Sequence, residues 1–151
     1  MSATTTLLLA VLPWLAAGQI DARDHPRPSE GTAAFSVMER ALVRGFDAIC
    51  GDTFCEGDFS NLRALQLRCA VQRTSGAVTA CVWSFAGSYA YVDTEGEAAP
   101  VVEARTWACR LPIVPGTPLP VLLSTLSGRD ALDTPLPGSR QTPYEALTDC
   151  L

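Results

Sequence analysis

The amino-acid sequence predicts an α+β fold in which an N-terminal helix packs on an antiparallel β-sheet of about four strands, with a C-terminal helix and three disulfides. Three observations carry this prediction: an apolar stripe with helical spacing, cysteines placed to bridge strands, and a helix-capping motif near the C-terminus. The helix precedes strands that are joined by short turns, which leaves no room for the crossovers of a parallel sheet.

The 151 residues are enough for a single domain. An uncharged apolar run over 7–17 ends in small residues, which is typical of a signal peptide that is removed after residue 18. We therefore predict a signal peptide over 1–18, a flexible leader over 19–31 and one disulfide-braced α+β domain over 32–151. The leader is predicted because its sequence is polar, contains prolines and has no apolar period. The alternative for the apolar run is a buried N-terminal helix. Export would place the protein in the periplasm or outside the cell.

The first predicted element of the domain is a helix that follows residue 32. Apolar residues recur there at steps of three and four, at Phe35, Met38, Leu42, Phe46 and Ile49. This spacing places them on one helical face, and such a face normally packs on a sheet. They are therefore expected in the core.

Two strands are predicted next, over 62–72 and 78–86, on either side of a turn near Ser75. Pairing them as a mirror about Ser75 places Cys69 opposite Cys81 and Leu67 opposite Trp83. The residues expected on the buried face of the first strand are Leu65, Leu67, Cys69 and Val71.

The remaining elements follow from turn and capping residues. Gly87 predicts a turn before a short strand over 88–93, and an acidic loop then leads to a strand over 100–113. Prolines interrupt the chain beyond that point and leave a short helix over 121–126. Thr142-Pro143-Tyr144-Glu145 is a capping box that opens a final helix running through Cys150.

An even number of cysteines in an exported chain predicts disulfides, because oxidising compartments allow them to persist. Zinc is the competing interpretation, but the closely spaced cysteine pairs and the histidines that zinc sites use are missing. Among the connectivities that six cysteines allow, we favour sequential pairing: Cys50 with Cys55, Cys69 with Cys81, and Cys109 with Cys150.

Composition excludes several classes of function. The 11 basic residues stand against 16 acidic ones, and a net charge of -5 argues against nucleic-acid binding and, once the signal is cleaved, against a membrane-surface protein. Every basic residue is arginine, so no lysine exists for a Schiff base or a phosphate-binding loop. The single histidine, His25, lies in the predicted leader, so a histidine-based triad is not expected. We predict no enzymatic activity, no metal and no cofactor.

The densest polar cluster lies over 50–61 and contains Asp52, Glu56 and Asp58. The preferred interpretation is a structural turn in which Asp52 and Asp58 accept hydrogen bonds from backbone amides and Gly57 takes a positive φ. A partner contact, a cation site and an acid/base pair remain as alternatives, although the spacing differs from that of an EF-hand loop.

Segment 50–58 follows a predicted helix and has the pattern C-x-D-T-aromatic-C-E-G-D. In this it resembles a group of uncharacterised small exported proteins of Gram-negative bacteria. The resemblance covers these residues and the downstream cysteines. It implies a periplasmic address and no known activity.

The leading functional hypothesis is an exported, non-enzymatic binding protein, such as an inhibitor or immunity protein for a cell-wall hydrolase. The acidic loop between the strands predicted over 88–93 and 100–113 can bind the basic cleft of an enzyme, although most charged loops are simply solvated. The candidate partner-binding residues are Tyr89, Tyr91, Asp93, Glu95 and Glu97, together with Asp52, Glu56 and Asp58. The alternative is a carboxylate-dependent glycan hydrolase that uses Glu56 with Asp52 or Asp58.

Overall fold

A computed structural model describes residues 17–92 and 99–151. The strands are β1 (Gln19–Asp21), β2 (Arg63–Gln72), β3 (Ala77–Tyr91), β4 (Val101–Leu111) and β5 (Thr117–Pro118). The helices are α1 (Pro28–Ile49), α2 (Leu119–Thr125) and α3 (Pro143–Thr148). All strand pairs are antiparallel, in the order β1-β2-β3-β4, and β5 pairs with the start of β3. The predicted α+β class is confirmed.

Helix α1 packs its apolar stripe onto the sheet. Phe35, Met38, Leu42 and Phe46 are fully buried, and the Phe46 ring lies 5.0 Å from that of Phe85 on β3. The helix begins at Pro28, earlier than the apolar pattern indicates. Proline suits the first helical position, and the exposed first turn needs no apolar residue.

The prediction of a flexible leader over 19–31 is wrong. Strand β1 pairs with the end of β2, and a short 3-10 turn, Ala22–Asp24, leads from it toward α1. Gly31 of α1 packs so tightly on this turn that an added Cβ would clash with the carbonyl oxygen of Arg23. These partners are distant in sequence, so a local polar pattern does not reveal them. Residues 1–16, which hold most of the predicted signal peptide, lie outside the described residues.

The β2–β3 hairpin has the predicted register, with Cys69 opposite Cys81 and Leu67 opposite Trp83. One expectation is wrong, because Leu65 is 56% exposed rather than buried. A register shift between Ala64 and Gln66 is the cause, since an extra residue in one strand breaks the alternation of side chains between the two faces.

Strand β3 runs straight through Gly87, so the predicted turn there is wrong. Phe59 and Leu62 press on this position from the preceding loop, and an added Cβ would lie 3.2 Å from atoms of both side chains. A glycine inside a strand often marks such a close approach.

Charged side chains cover the outer edge of β2 beside the stretch that pairs with β1. Glu39 of α1 accepts a hydrogen bond from the Leu67 amide at 2.9 Å and forms an ion pair with Arg23 at 2.8 Å. Asp21 of β1 forms an ion pair with Arg68 of β2 at 2.7 Å. The charged groups therefore bind α1, β1 and β2 together along this edge.

All three disulfides join the predicted partners, Cys50 with Cys55, Cys69 with Cys81 and Cys109 with Cys150, and no cysteine is free. Such bonds are typical of proteins from oxidising compartments. Within the described ranges, no helix combines the length and apolar character needed to cross a membrane.

The C-terminal helix carries the predicted capping box. Thr142 accepts a hydrogen bond from the Glu145 amide, and the Glu145 carboxylate accepts one from the Thr142 amide. The helix ends at Thr148, just before the disulfide at Cys150, which ties it to β4. Helix α2 begins two residues earlier than predicted and also has a proline in its first turn.

Candidate functional site

The 50–58 loop is held by its disulfide and by local hydrogen bonds. The Cys55 amide donates to the Cys50 carbonyl at 2.6 Å, and the Thr53 hydroxyl donates to the Ile49 carbonyl at 2.8 Å. The Phe54 ring is wedged between α1 and α3, at 5.7 Å from the Phe46 ring and 5.5 Å from the Tyr144 ring. These contacts anchor the loop to the core.

The three carboxylates of this loop, Asp52, Glu56 and Asp58, are all exposed. Gly57 has the expected positive φ of 89°. However, in residues 17–92 and 99–151 no backbone amide donates to Asp52 or Asp58, which differs from the preferred turn interpretation. The disulfide and Phe54 hold the turn instead. In the same ranges no group of three or more His, Cys, Asp or Glu residues is placed to hold a metal ion.

The β3–β4 hairpin extends past the rest of the sheet. Strand β2 pairs with β3 only as far as Ala86, whereas β4 follows β3 to Tyr91. At the base of the extension the Asn61 side chain accepts from the Ser88 amide at 2.6 Å and donates to the Ser88 hydroxyl at 2.8 Å. The outer part of the hairpin is therefore a two-stranded ribbon whose base is held by Asn61.

A row of aromatic rings runs along one face of this ribbon. The Phe59 ring meets Trp107 edge to face at 5.1 Å and Tyr89 edge to face at 5.4 Å, and Tyr89 stacks with Tyr91 at 6.0 Å. Exposure rises along the row, from 9% at Trp107 to 45% at Tyr91. The next residue, Val92, is 54% exposed. The row thus continues the core out to an apolar surface at the end of β3.

Charged groups flank the aromatic row. The Arg105 guanidinium lies over the Trp107 ring, 5.1 Å from its centroid, in a cation-π contact. Glu103 is directly opposite Tyr89 across the hairpin. The pKa of Tyr89 is raised above its ordinary value of 10.0, first by burial, then by a hydrogen bond with Glu103 and by the negative charges of Glu103 and Asp58.

The structure brings together some of the predicted site residues and separates others. Tyr89 and Tyr91 stack on each other on the hairpin, and the negative charge of Asp58 contributes to the raised pKa of Tyr89. Asp52, by contrast, belongs to the 3-10 turn that follows α1. The predicted contacts Asp93, Glu95 and Glu97 lie outside the described residues, in the connection from β3 to β4.

Sequence reasoning missed Phe59, Glu103, Arg105 and Trp107. A sequence pattern for Glu103, Arg105 and Trp107 was present. Pairing the two strands symmetrically about position 96 places Glu103 opposite Tyr89, just as pairing about Ser75 gives the register of the first hairpin. Phe59 carries no comparable signal, since its contact with Trp107 depends on the path of a loop.

Comparisons of the chain with protein-family models, curated proteins and solved structures find no match.

Proposed function

We propose that this chain is an exported, non-enzymatic binding protein and that the end of the β3–β4 hairpin is its recognition element. The observation that supports the proposal most directly is the aromatic row that ends at the exposed side chains of Tyr91 and Val92. Aromatic residues that combine a packed base with an exposed edge are typical anchors of protein interfaces. Their cost in conformational entropy is small here because the rings already pack on one another.

The partner in this proposal is a cell-wall hydrolase with a basic binding surface. The chain acts either as an inhibitor of this hydrolase or as an immunity protein against it. The loop that joins the two strands supplies Asp93, Glu95 and Glu97, and Glu103 and Asp58 add negative charge beside Tyr89. Acidic groups around an apolar anchor favour a basic cleft, because complementary charges speed the encounter while the anchor slows dissociation.

The test begins with capture of the partner from a periplasmic extract and its identification by mass spectrometry. Association is then measured for the triple variant Asp93→Asn, Glu95→Gln, Glu97→Gln. The association rate should fall about tenfold at low salt and its salt dependence should flatten, because exposed charges act mainly on the encounter. The matched control neutralises three exposed aspartates of the C-terminal region, Asp130, Asp133 and Asp149, and should change the rate little.

A second variant, Tyr91→Ala, tests the apolar anchor. It should speed dissociation about tenfold, the effect of a moderate interface hot spot, and leave folding intact. If the hydrolase is the true partner, the wild-type protein also inhibits its lysis of cell walls. Unchanged kinetics in the triple variant at low salt would mean that the loop is merely solvated, and unchanged dissociation in Tyr91→Ala would remove the hairpin from the interface.

A further inference from the structure

The outer edge of β4 has no strand paired with it among the described residues. Strand β4 pairs with β3 along all 11 of its residues without a register shift. Its first six residues, 101–106, are all exposed, and Val101 and Val102 are 42% and 65% exposed. Backbone groups along this edge that do not face β3 are therefore available to another strand.

The opposite edge of the sheet is protected in three ways that are not seen along β4 in residues 17–92 and 99–151. Strand β1 covers the end of β2, Glu39 of α1 accepts from the Leu67 amide, and the register shift between Ala64 and Gln66 places an extra residue in β2. Natural sheets use covering segments, charges and bulges of this kind to prevent pairing at their edges. A long, regular edge with exposed valines favours strand addition instead.

We propose that the outer edge of β4 pairs with the same edge of a second copy of this chain, antiparallel, about a two-fold axis through Ala104. Along an antiparallel pair, successive pairs of opposed residues alternate between a hydrogen-bonded and a non-hydrogen-bonded type. A two-fold axis between two residues would make two neighbouring pairs equivalent, although they are of different types. The axis must therefore lie at a residue that faces its own copy. An axis at Glu103 would oppose two glutamates, and an axis at Arg105 would oppose two arginines. An axis at Ala104 opposes Glu103 of each copy to Arg105 of the other.

The two charged side chains are already positioned for this pairing. Both project from the same face of β4, where Arg105 is held over the Trp107 ring and Glu103 lies beside Tyr89. At Ala104 itself the two copies meet through small side chains, and Val102 lies opposite Thr106. The pairing would join the two sheets into one, and self-complementary charges favour a second copy over an unrelated strand.

Sedimentation equilibrium of the oxidised, exported chain tests the proposal. The wild type should dimerise, and Glu103→Arg or Arg105→Glu should each weaken the dimer about thirty-fold, because each change turns two attractive cross-strand pairs into two repulsive ones. Arg110→Glu is the matched control: it is an exposed charge reversal on the same strand but falls beyond the paired stretch, so the dimer should keep its affinity. Intact mass confirms the three disulfides in every variant.

Mixing Glu103→Arg with Arg105→Glu gives the decisive result. Each heterodimer then contains two attractive pairs, so native mass spectrometry should show the mixed species at near wild-type affinity while both homodimers are depleted. A chain that stays monomeric up to about 1 mM overturns the proposal, since even weak specific association is measurable there. A dimer that both reversals leave unchanged, or a mixture with no preference for the heterodimer, overturns it as well.

Discussion

Replacing both Cys109 and Cys150 with alanine is expected to lower the free energy of unfolding by about 4 kcal/mol. This disulfide spans a sequence separation of 41, compared with 12 for Cys69–Cys81 and 5 for Cys50–Cys55. The entropy that a disulfide removes from the unfolded chain grows with the logarithm of the loop it closes, which gives about 4, 3 and 2 kcal/mol for the three bonds.

The Cys69→Ala, Cys81→Ala variant is the matched control for packing. Cys69, Cys81 and Cys109 are fully buried and Cys150 is partly buried, so the Cys109–Cys150 pair loses no more sulfur contacts than the control, and a larger loss of stability there reports loop length. Denaturant unfolding gives the free energies, and thermal unfolding of the Cys109→Ala, Cys150→Ala variant should show a midpoint lower by about 15 °C. Equal losses in all three double variants, or the largest loss in Cys50→Ala, Cys55→Ala, would refute the loop-entropy argument.

Three further predictions concern the N-terminal turn, the hairpin and the exported form. Gly31→Ala should lose about 2 kcal/mol of stability by denaturant unfolding, because the added Cβ meets the Arg23 and His25 carbonyls, whereas Gly51→Ala, at an open position, should change little. Tyr89 should ionise above the ordinary pKa of 10.0 in an absorbance titration, and stability should fall as the pH rises past that value, since the folded chain holds the phenol proton more tightly than the unfolded chain does. Tyr89→Phe should abolish that part of the pH dependence. The intact mass of the exported form should show the loss of residues 1–18 and of six hydrogens, and two or more titratable thiols would contradict it.

Local sequence patterns were sufficient for several parts of the fold. The mirror about Ser75 predicted the register of the first hairpin and its disulfide because two strands joined by a tight turn have few ways to pair. The helical spacing of Phe35 to Phe46 predicted the buried face of α1, and the Thr142 capping box predicted the start of α3. Each of these features depends on residues close together in the chain.

The sequence alone predicted only part of the proposed recognition surface. Tyr89 and Tyr91 were candidates because they adjoin an acidic loop, and the structure places them in one aromatic row. No sequence pattern joins Phe59 to that row, because its contact with Trp107 depends on the path of the loop that carries it. The carboxylates at 52–58 were the densest polar cluster in the sequence, yet the structure anchors their loop through Phe54 and a disulfide.

By itself, the sequence determined the α+β class, the Cys69–Cys81 disulfide and the cap of α3, because periodicity, hairpin register and capping residues act over short stretches of chain. Only the tertiary structure decided that residues 19–31 are folded, since β1 needs the edge of β2 and Gly31 needs the turn that it packs against. It also decided that β3 continues through Gly87, where glycine serves a close approach by Phe59 and Leu62 rather than a turn. The same residue type permits either outcome, and packing between distant segments selects one of them.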